Sequence, residues 1–132
     1  AYYSIIANLD RIGDHAVNLA GYADDMKKWQ ISFSDNVLDE LAEMKKQTIL
    51  SLDTVRNDTS ENAAQVLENA STMEQKIDDM RDKYFKKQIQ RLKKGKCKPQ
   101  SGIVFSEVLT DFERMGDHVL NIAQQYCEME QA

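Results

Sequence analysis

Two short stretches carry residues that could do chemistry. Asp10 and Asp14 lie in DRIGDH at residues 10–15, and Glu113 and Asp117 lie in ERMGDH at residues 113–118. Residues four apart share a face of a helix, so each pair sets two carboxylates side by side. Like charges at that spacing repel mildly, and a captured cation converts the repulsion into binding. A third acidic run, Glu74, Asp78 and Asp82 in EQKIDDMRD, repeats the same step over two turns. Clustered carboxylate oxygens are ligands for hard cations. Without an ion, the same residues read as a solvated acidic face on which Arg11 and Arg114 supply local pairing.

The two hexapeptides belong to a longer correspondence. NLDRIGDHAVNLA (8–20) and DFERMGDHVLNIA (111–123) align without gaps at an offset of 103, with Arg, Gly, Asp, His, Asn and Ala identical. Amphipathic helices coincide at Leu and Ala by composition alone. They do not coincide so at glycine, which costs about 1 kcal/mol inside a helix. An internal duplication accounts for the match. Gly13 and Gly116, beside the carboxylates, leave room for a backbone or ligand to approach. His15 and His118 point about 100° away from the preceding aspartates, which favours packing or hydrogen bonding at a helix contact over ligation. Asn18 and Asn121 extend each acidic line by one turn, where they could support the ligands from behind.

These residues need long helices to position them. The chain has 132 residues, 42% of them hydrophobic and 30% charged, with one proline and five glycines, a composition for a single helical domain. A line of Ile5, Leu9, Ile12, Ala16, Leu19 and Ala23 predicts a helix over about 2–28. Ser34 is a candidate N-cap for a second helix carrying Val37, Leu41, Met44, Thr48, Leu52 and Val55. Asp58 to Glu61 reads as a break with a capping box. The third helix carries Val66, Ala70, Met73, Ile77, Met80 and Tyr84, ending at Gly95 in the C′ position. Pro99 follows, and a fourth helix from about 101 to 130 turns Val104, Val108, Phe112, Met115, Val119, Ile122 and Tyr126 inward. Short connections make neighbours antiparallel, so the expected fold is all-α, an antiparallel up-down four-helix bundle; the breaks near residues 32, 58 and 97 argue against one long coiled coil.

Register then brings acidic lines together. Counting back from the turn between the third and fourth helices sets Asp117 level with Asp78, Glu113 with Asp82 and Asn121 with Glu74. Two acidic rows at one height outside the packed interior form a carboxylate cage. The same count sets Asp14 level with Thr48 and Asp10 level with Leu52, leaving only Asp53 nearby, so the first motif has no matching row within the chain.

With the repeat and the cage in place, the sequence resembles the PhoU family of phosphate-uptake regulators, whose repeat carries (E/D)RIGDH. It looks most like the C-terminal PhoU-like domain of bacterial sodium–phosphate cotransporters, through KKQIQRLKKGKCKPQSGIVFSEVLTDFERMGDHVLNIA at residues 86–123. The resemblance implies a fold of three-helix repeats, of which residues 1–30 are the last helix of a first repeat and 34–131 a complete second one. It also implies metal binding at the paired motifs, often as multinuclear iron or zinc clusters on the bundle surface, and a regulatory role in phosphate uptake. Mapped here, Glu113 and Asp117 with Glu74 and Asp78 are the first site, and Asp10 and Asp14 a second, incomplete one. A non-catalytic interaction bundle without metal is the alternative.

Other features bound the function. The net charge of −5 opposes long-range attraction to nucleic acid, and an acidic face does not bind phosphate without a bridging cation. No nucleotide-binding, metalloprotease or nucleophile-elbow motif occurs, so an enzyme is not expected. No run of 18 apolar residues exists to span a membrane. The opening AYYSIIANLDRI lacks the basic start of a signal peptide and begins inside a helical pattern, as expected of a piece of a longer protein. Cys97 and Cys127 flank one helix, on the order of 45 Å apart, and are expected to be free thiols in a cytoplasmic protein. Residues 83–98 hold eight of the 17 basic residues and no acidic one, with Lys27 and Lys28 at the same end. That end reads first as an ordinary complement to the helix dipole that aids solubility, and alternatively as a docking face for an anionic membrane surface or the cytosolic loops of a phosphate transporter's membrane domain. Phosphate-signalling proteins and a homodimer are further expected partners.

Overall fold

The computed structural model describes residues 1–56 and 62–131. Four helices span α1 Tyr2–Lys28, α2 Asp35–Arg56, α3 Ala63–Lys93 and α4 Pro99–Gln131. The expected capping box at Asp58 to Glu61 lies outside the described residues. Within them, Asn62 caps α3, its side chain accepting from Gln65 N at 2.8 Å. Ser34 caps α2 as anticipated, accepting from Val37 N at 3.4 Å. At the end of α3, Gly95 adopts φ 67°. Gly95 N donates to Leu92 O and Lys96 N to Arg91 O. That pair of bonds closes the last turn and reverses the chain toward α4.

The packing is that of an all-α bundle, but its closure differs from a ring of four. Helices α2, α3 and α4 all touch one another, whereas α1 touches only α4 among the described residues. The core explains this. Helix α4 buries two faces: Phe105, Leu109, Phe112, Gly116, Val119 and Ala123 on one, Val108, Asp111, Met115 and Ile122 on the other. The face opposite α1 is only one helix wide. Helix α1 accordingly buries Ile5, Asn8 and Ile12 and half-buries His15, Leu19, Tyr22 and Met26, an alternating 3–4 spacing that makes a single seam. Leu9, Ala16 and Ala23, expected on the inner stripe, are exposed, because no second helix covers that side of α1.

The seam shows the duplication in three dimensions. His15 Nδ1 lies 2.7 Å from Asp111 Oδ1, and His118 Nδ1 lies 2.9 Å from Asn8 Oδ1. Asn18 donates to Asp111 Oδ1 at 3.4 Å, and Asn121 to Asn8 Oδ1 at 3.3 Å. Positions 8, 15 and 18 correspond to 111, 118 and 121 in the repeat, so each motif binds the start of the other, as in a two-fold interface. The imidazoles stack across the centre, with centroids 5.5 Å apart. Asp111 is 95% buried, and a buried polar group that loses its hydrogen-bond partner is costly, so the seam depends on the His15–Asp111 contact.

The repeated glycines part company here. A Cβ at Gly116 would sit 3.1 Å from Ile77 Cδ1, whereas one at Gly13 would meet nothing within 4 Å. Gly116 lets α3 approach α4 closely at the height of the acidic rows, and Gly13 faces open space. Substituting Gly13→Ala should therefore stabilise the protein by about 0.5–1 kcal/mol, the helix-propensity gain. Gly116→Ala should gain distinctly less or lose stability, because Ile77 must move. Paired urea titrations measure the difference; equal effects would contradict the close approach.

Candidate metal centre

The acidic rows meet where the close α3–α4 approach places them. Glu74, Asp78 and Asp117 each bring a carboxylate oxygen within 4.8 Å of the others, all three residues being half-buried. None of the three forms an ion pair with Lys, Arg or His among the described residues. Three acids without a counter-ion cannot all be ionised cheaply. Glu74 shows the consequence: its hydrogen bond to Asp78, then burial and the charges of Asp78 and Asp117, push its pKa up to about 8. Burial raises Asp117 as well, against the pull of its hydrogen bond with Glu74. At neutral pH the group shares a proton that a cation would displace.

Glu113 stands at the edge of this group. Its Oε2 lies 3.1 Å from Arg81 Nε, and Arg81 Nη1 reaches Asp82 Oδ1 at 3.5 Å. Burial raises the Glu113 carboxyl, with Arg81 opposing. Of the four residues assigned to the first site, the structure gathers Glu74, Asp78 and Asp117 and pairs the fourth with an arginine. Arg81 is the residue that sequence reasoning missed. Its signal was the helical period: 74, 78, 81 and 85 follow one line, whereas Asp82, expected beside Glu113, drifts outward and leaves its side chain 63% exposed.

Among the described residues the first motif makes no such group. Asp10 and Asp14 are exposed and line an open hollow with Ala7, Arg11 and His15. Among the described residues no acidic row faces them, as the register count had indicated. The histidines are likewise accounted for by the α1–α4 seam. Burial, and then the charges of His15 and Arg11, hold the His118 pKa below its ordinary value. Asn18 and Asn121, anticipated behind the carboxylates, bond across that seam instead.

The PhoU domain signature matches residues 30–126, all of α2 and α3 and nearly all of α4. The chain belongs to the PhoU domain family. No curated protein and no solved structure matches it. The family match covers the helices that build the carboxylate group, and it begins just after α1. No helix of the described residues is long and apolar enough to cross a membrane.

A donor set of three carboxylates is one that a hard ion could use in this PhoU domain: several oxygen ligands, none of them in an ion pair among the described residues, and partial shielding from water. Oxygen-only donor sets are those of hard cations in general. The Glu74 carboxyl also predicts how the metal-free protein responds to pH. Its folded pKa lies above the unfolded value, so the native state holds more protons between about pH 4.5 and 8 and loses stability as pH rises through that window;. Glu74→Gln should flatten this loss, melting higher than the parent at pH 8.5 and close to it at pH 4.5 in the presence of chelator. Thermal melts by circular dichroism at the two pH values provide the check.

Proposed function

We propose that this chain is a metal-binding regulatory domain of phosphate uptake, in which Glu74, Asp78 and Asp117 hold a divalent or trivalent ion. The observation that carries the reading is the triple of unpaired carboxylates with oxygens within 4.8 Å, built on the repeat motif of a PhoU domain. A bound ion would supply positive charge on an otherwise acidic face, a means of attracting phosphate or an anionic partner segment. The protein's own residues set where that charge stands. Helix α3 supplies two carboxylates one turn apart, α4 supplies the third, and Gly116 admits Ile77 between them. The role is regulatory rather than enzymatic.

In this reading residues 1–30 are the last helix of a first three-helix repeat and 34–131 the whole of a second. Support comes from the duplicated faces. Tyr2, Ile6 and Leu9 are exposed on α1 at 67%, 44% and 53%. Their counterparts in the repeat, Phe105, Leu109 and Phe112, are buried against α2 and α3. A helix pair like α2–α3 would cover α1 and give Asp10 and Asp14 the acidic partners they lack; a homodimer is the other way to cover that face.

The partner we propose is the membrane domain of a sodium–phosphate cotransporter, of which this would be the cytoplasmic domain, or else a phosphate-signalling protein. The seam runs α1 antiparallel to α4, which brings Lys27 and Lys28 to the end of the bundle where α3 finishes and Lys93, Lys94, Lys96 and Lys98 cluster. Trp29 is half exposed there. Lysines beside an amphipathic ring suit an anionic membrane surface or the loops emerging from it. From that end to Asp117 along α4 is about 27 Å, so docking leaves the carboxylate group accessible.

Protein purified without chelator should retain iron or another multivalent ion by elemental analysis, and Glu74→Gln combined with Asp117→Asn should lose it. Saturation at about 100 Kd should stabilise the parent by about 2.7 kcal/mol. Affinity should rise with pH, approaching tenfold per unit below about 8, as the proton on Glu74 is released;. Absence of retained metal together with no shift in melting temperature on adding Fe2+, Mn2+ or Zn2+ would refute the assignment and favour an interaction bundle without metal.

A further inference from the structure

We infer that the hollow beside Asp111, between α1 and α4, is a binding site for a primary ammonium group, separate from the α3–α4 carboxylates. Asp111 Oδ1 is engaged twice, by His15 Nδ1 at 2.7 Å and by Asn18 at 3.4 Å. Its other oxygen, Oδ2, is buried and has no hydrogen-bond partner among the described residues. A buried acceptor left without a donor costs its full desolvation penalty. Asp111 lines an open hollow of about 350 Å³ together with Asn18, Tyr22, Glu107, Thr110 and Arg114. Tyr22 approaches the same carboxylate: burial, and then its hydrogen-bonding interaction with Asp111, push the phenol up to about 12. Its hydroxyl nonetheless leaves Oδ2 without a bond of normal geometry.

The repeat supplies its own control. At the offset of 103, Ser4, Asn8 and Gln125 occupy at one end of the seam the positions that Glu107, Asp111 and Tyr22 occupy at the other. Asn8 uses both ends of its amide: Oδ1 faces His118 and accepts from Asn121, while Nδ2 donates to Ser4 O at 2.8 Å. The neutral end closes on itself. At the acidic end one oxygen of Asp111 holds the seam and the second is left over, with Glu107 one turn before it on the same face of α4. When His15 is neutral, Glu107 and Asp111 against Arg114 leave one net negative charge at the hollow. That charge matches a single ammonium, whose three N–H donors suit Asp111 Oδ2, the Glu107 carboxylate and the Tyr22 oxygen. A divalent ion is a poorer match. Two carboxylates fall short of the roughly six to eight oxygens that calcium takes, and Arg114 repels a second positive charge.

The test follows backbone amide signals by NMR at pH 8 while n-butylamine is added to the protein, with n-butanol and K+ at equal concentration as controls. The signals of Asn18, Tyr22, Glu107 and Asp111 should shift saturably with butylammonium and stay in place with both controls. Asp111→Asn keeps an acceptor for His15, as Asn8 does for His118, and should weaken binding about tenfold or more. Glu107→Gln, at an exposed position, should weaken it about threefold and carries the test should Asp111→Asn fail to fold. A parallel titration with N-acetyl-lysine methylamide separates the two sources of an ammonium group. Tighter binding than butylamine assigns it to a lysine of a partner chain and weaker binding to a free amine, and either sustains the site. No saturable shift with either amine, equal shifts with K+, or unchanged affinity in the variants would overturn the inference. None of these results bears on metal retention by Glu74, Asp78 and Asp117.

Discussion

Repulsion among three half-buried carboxylates is the constraint on which the functional half of this structure turns. Glu74, Asp78 and Asp117 are held together by groups that do not themselves carry charge. Ile77 is fully buried between the two aspartates' helices, and it reaches the backbone of α4 only because position 116 has no side chain. Packing of that kind contributes a few kcal/mol per large apolar side chain, enough to hold acids in a position they would not choose. The cost appears as a proton retained on Glu74 up to about pH 8. The core supplies the force, and the titratable groups record it.

The same helix solves a different problem on its other side. Asp117 faces α3, while the next residue, His118, faces α1 and stacks on His15. Two adjacent letters of one motif therefore serve two interfaces about 100° apart. The seam is reciprocal but not symmetric, because the residue facing His15 is Asp111 and the residue facing His118 is Asn8. A charge is present on one side and an amide on the other. Full symmetry with aspartate at both places would bury a second carboxylate beside an imidazole whose pKa is already held low by burial; an amide satisfies the same ring nitrogen without that charge.

Much of this was legible beforehand, and the failures have a common origin. Helix ends followed local chemistry: Ser34 and Gly95 act where their residue types said they would. The α3–α4 register followed from a short turn between straight helices, and it set Asp117 opposite Asp78 correctly. What could not be read was rotation about each helix axis. A step of four residues overruns the helical period, so a row written as 74, 78, 82 leaves the groove by its third member and Arg81 takes the place assigned to Asp82. The α1 stripe erred for the same reason: 5, 9, 12, 16 and 5, 8, 12, 15 are both helical, and only the polar partners on α4 select the second.

Identity of sequence did not bring identity of environment. Gly-Asp-His occurs in both motifs, yet one copy lies in open hollow and the other in a crowded groove. The hexapeptide specifies a helix face with two carboxylates and a bare backbone patch; it contains nothing that closes a site. Closure comes from Glu74 and Asp78, which belong to no repeated hexapeptide and stand some forty positions away in the chain. The motif is thus half of a site, and the helix set against it decides whether its acids meet other acids, an arginine or water. In this chain α3 does all the deciding: it meets Asp117 with two carboxylates, meets Glu113 with a guanidinium, and leaves Asp10 and Asp14 to the solvent because it never touches α1.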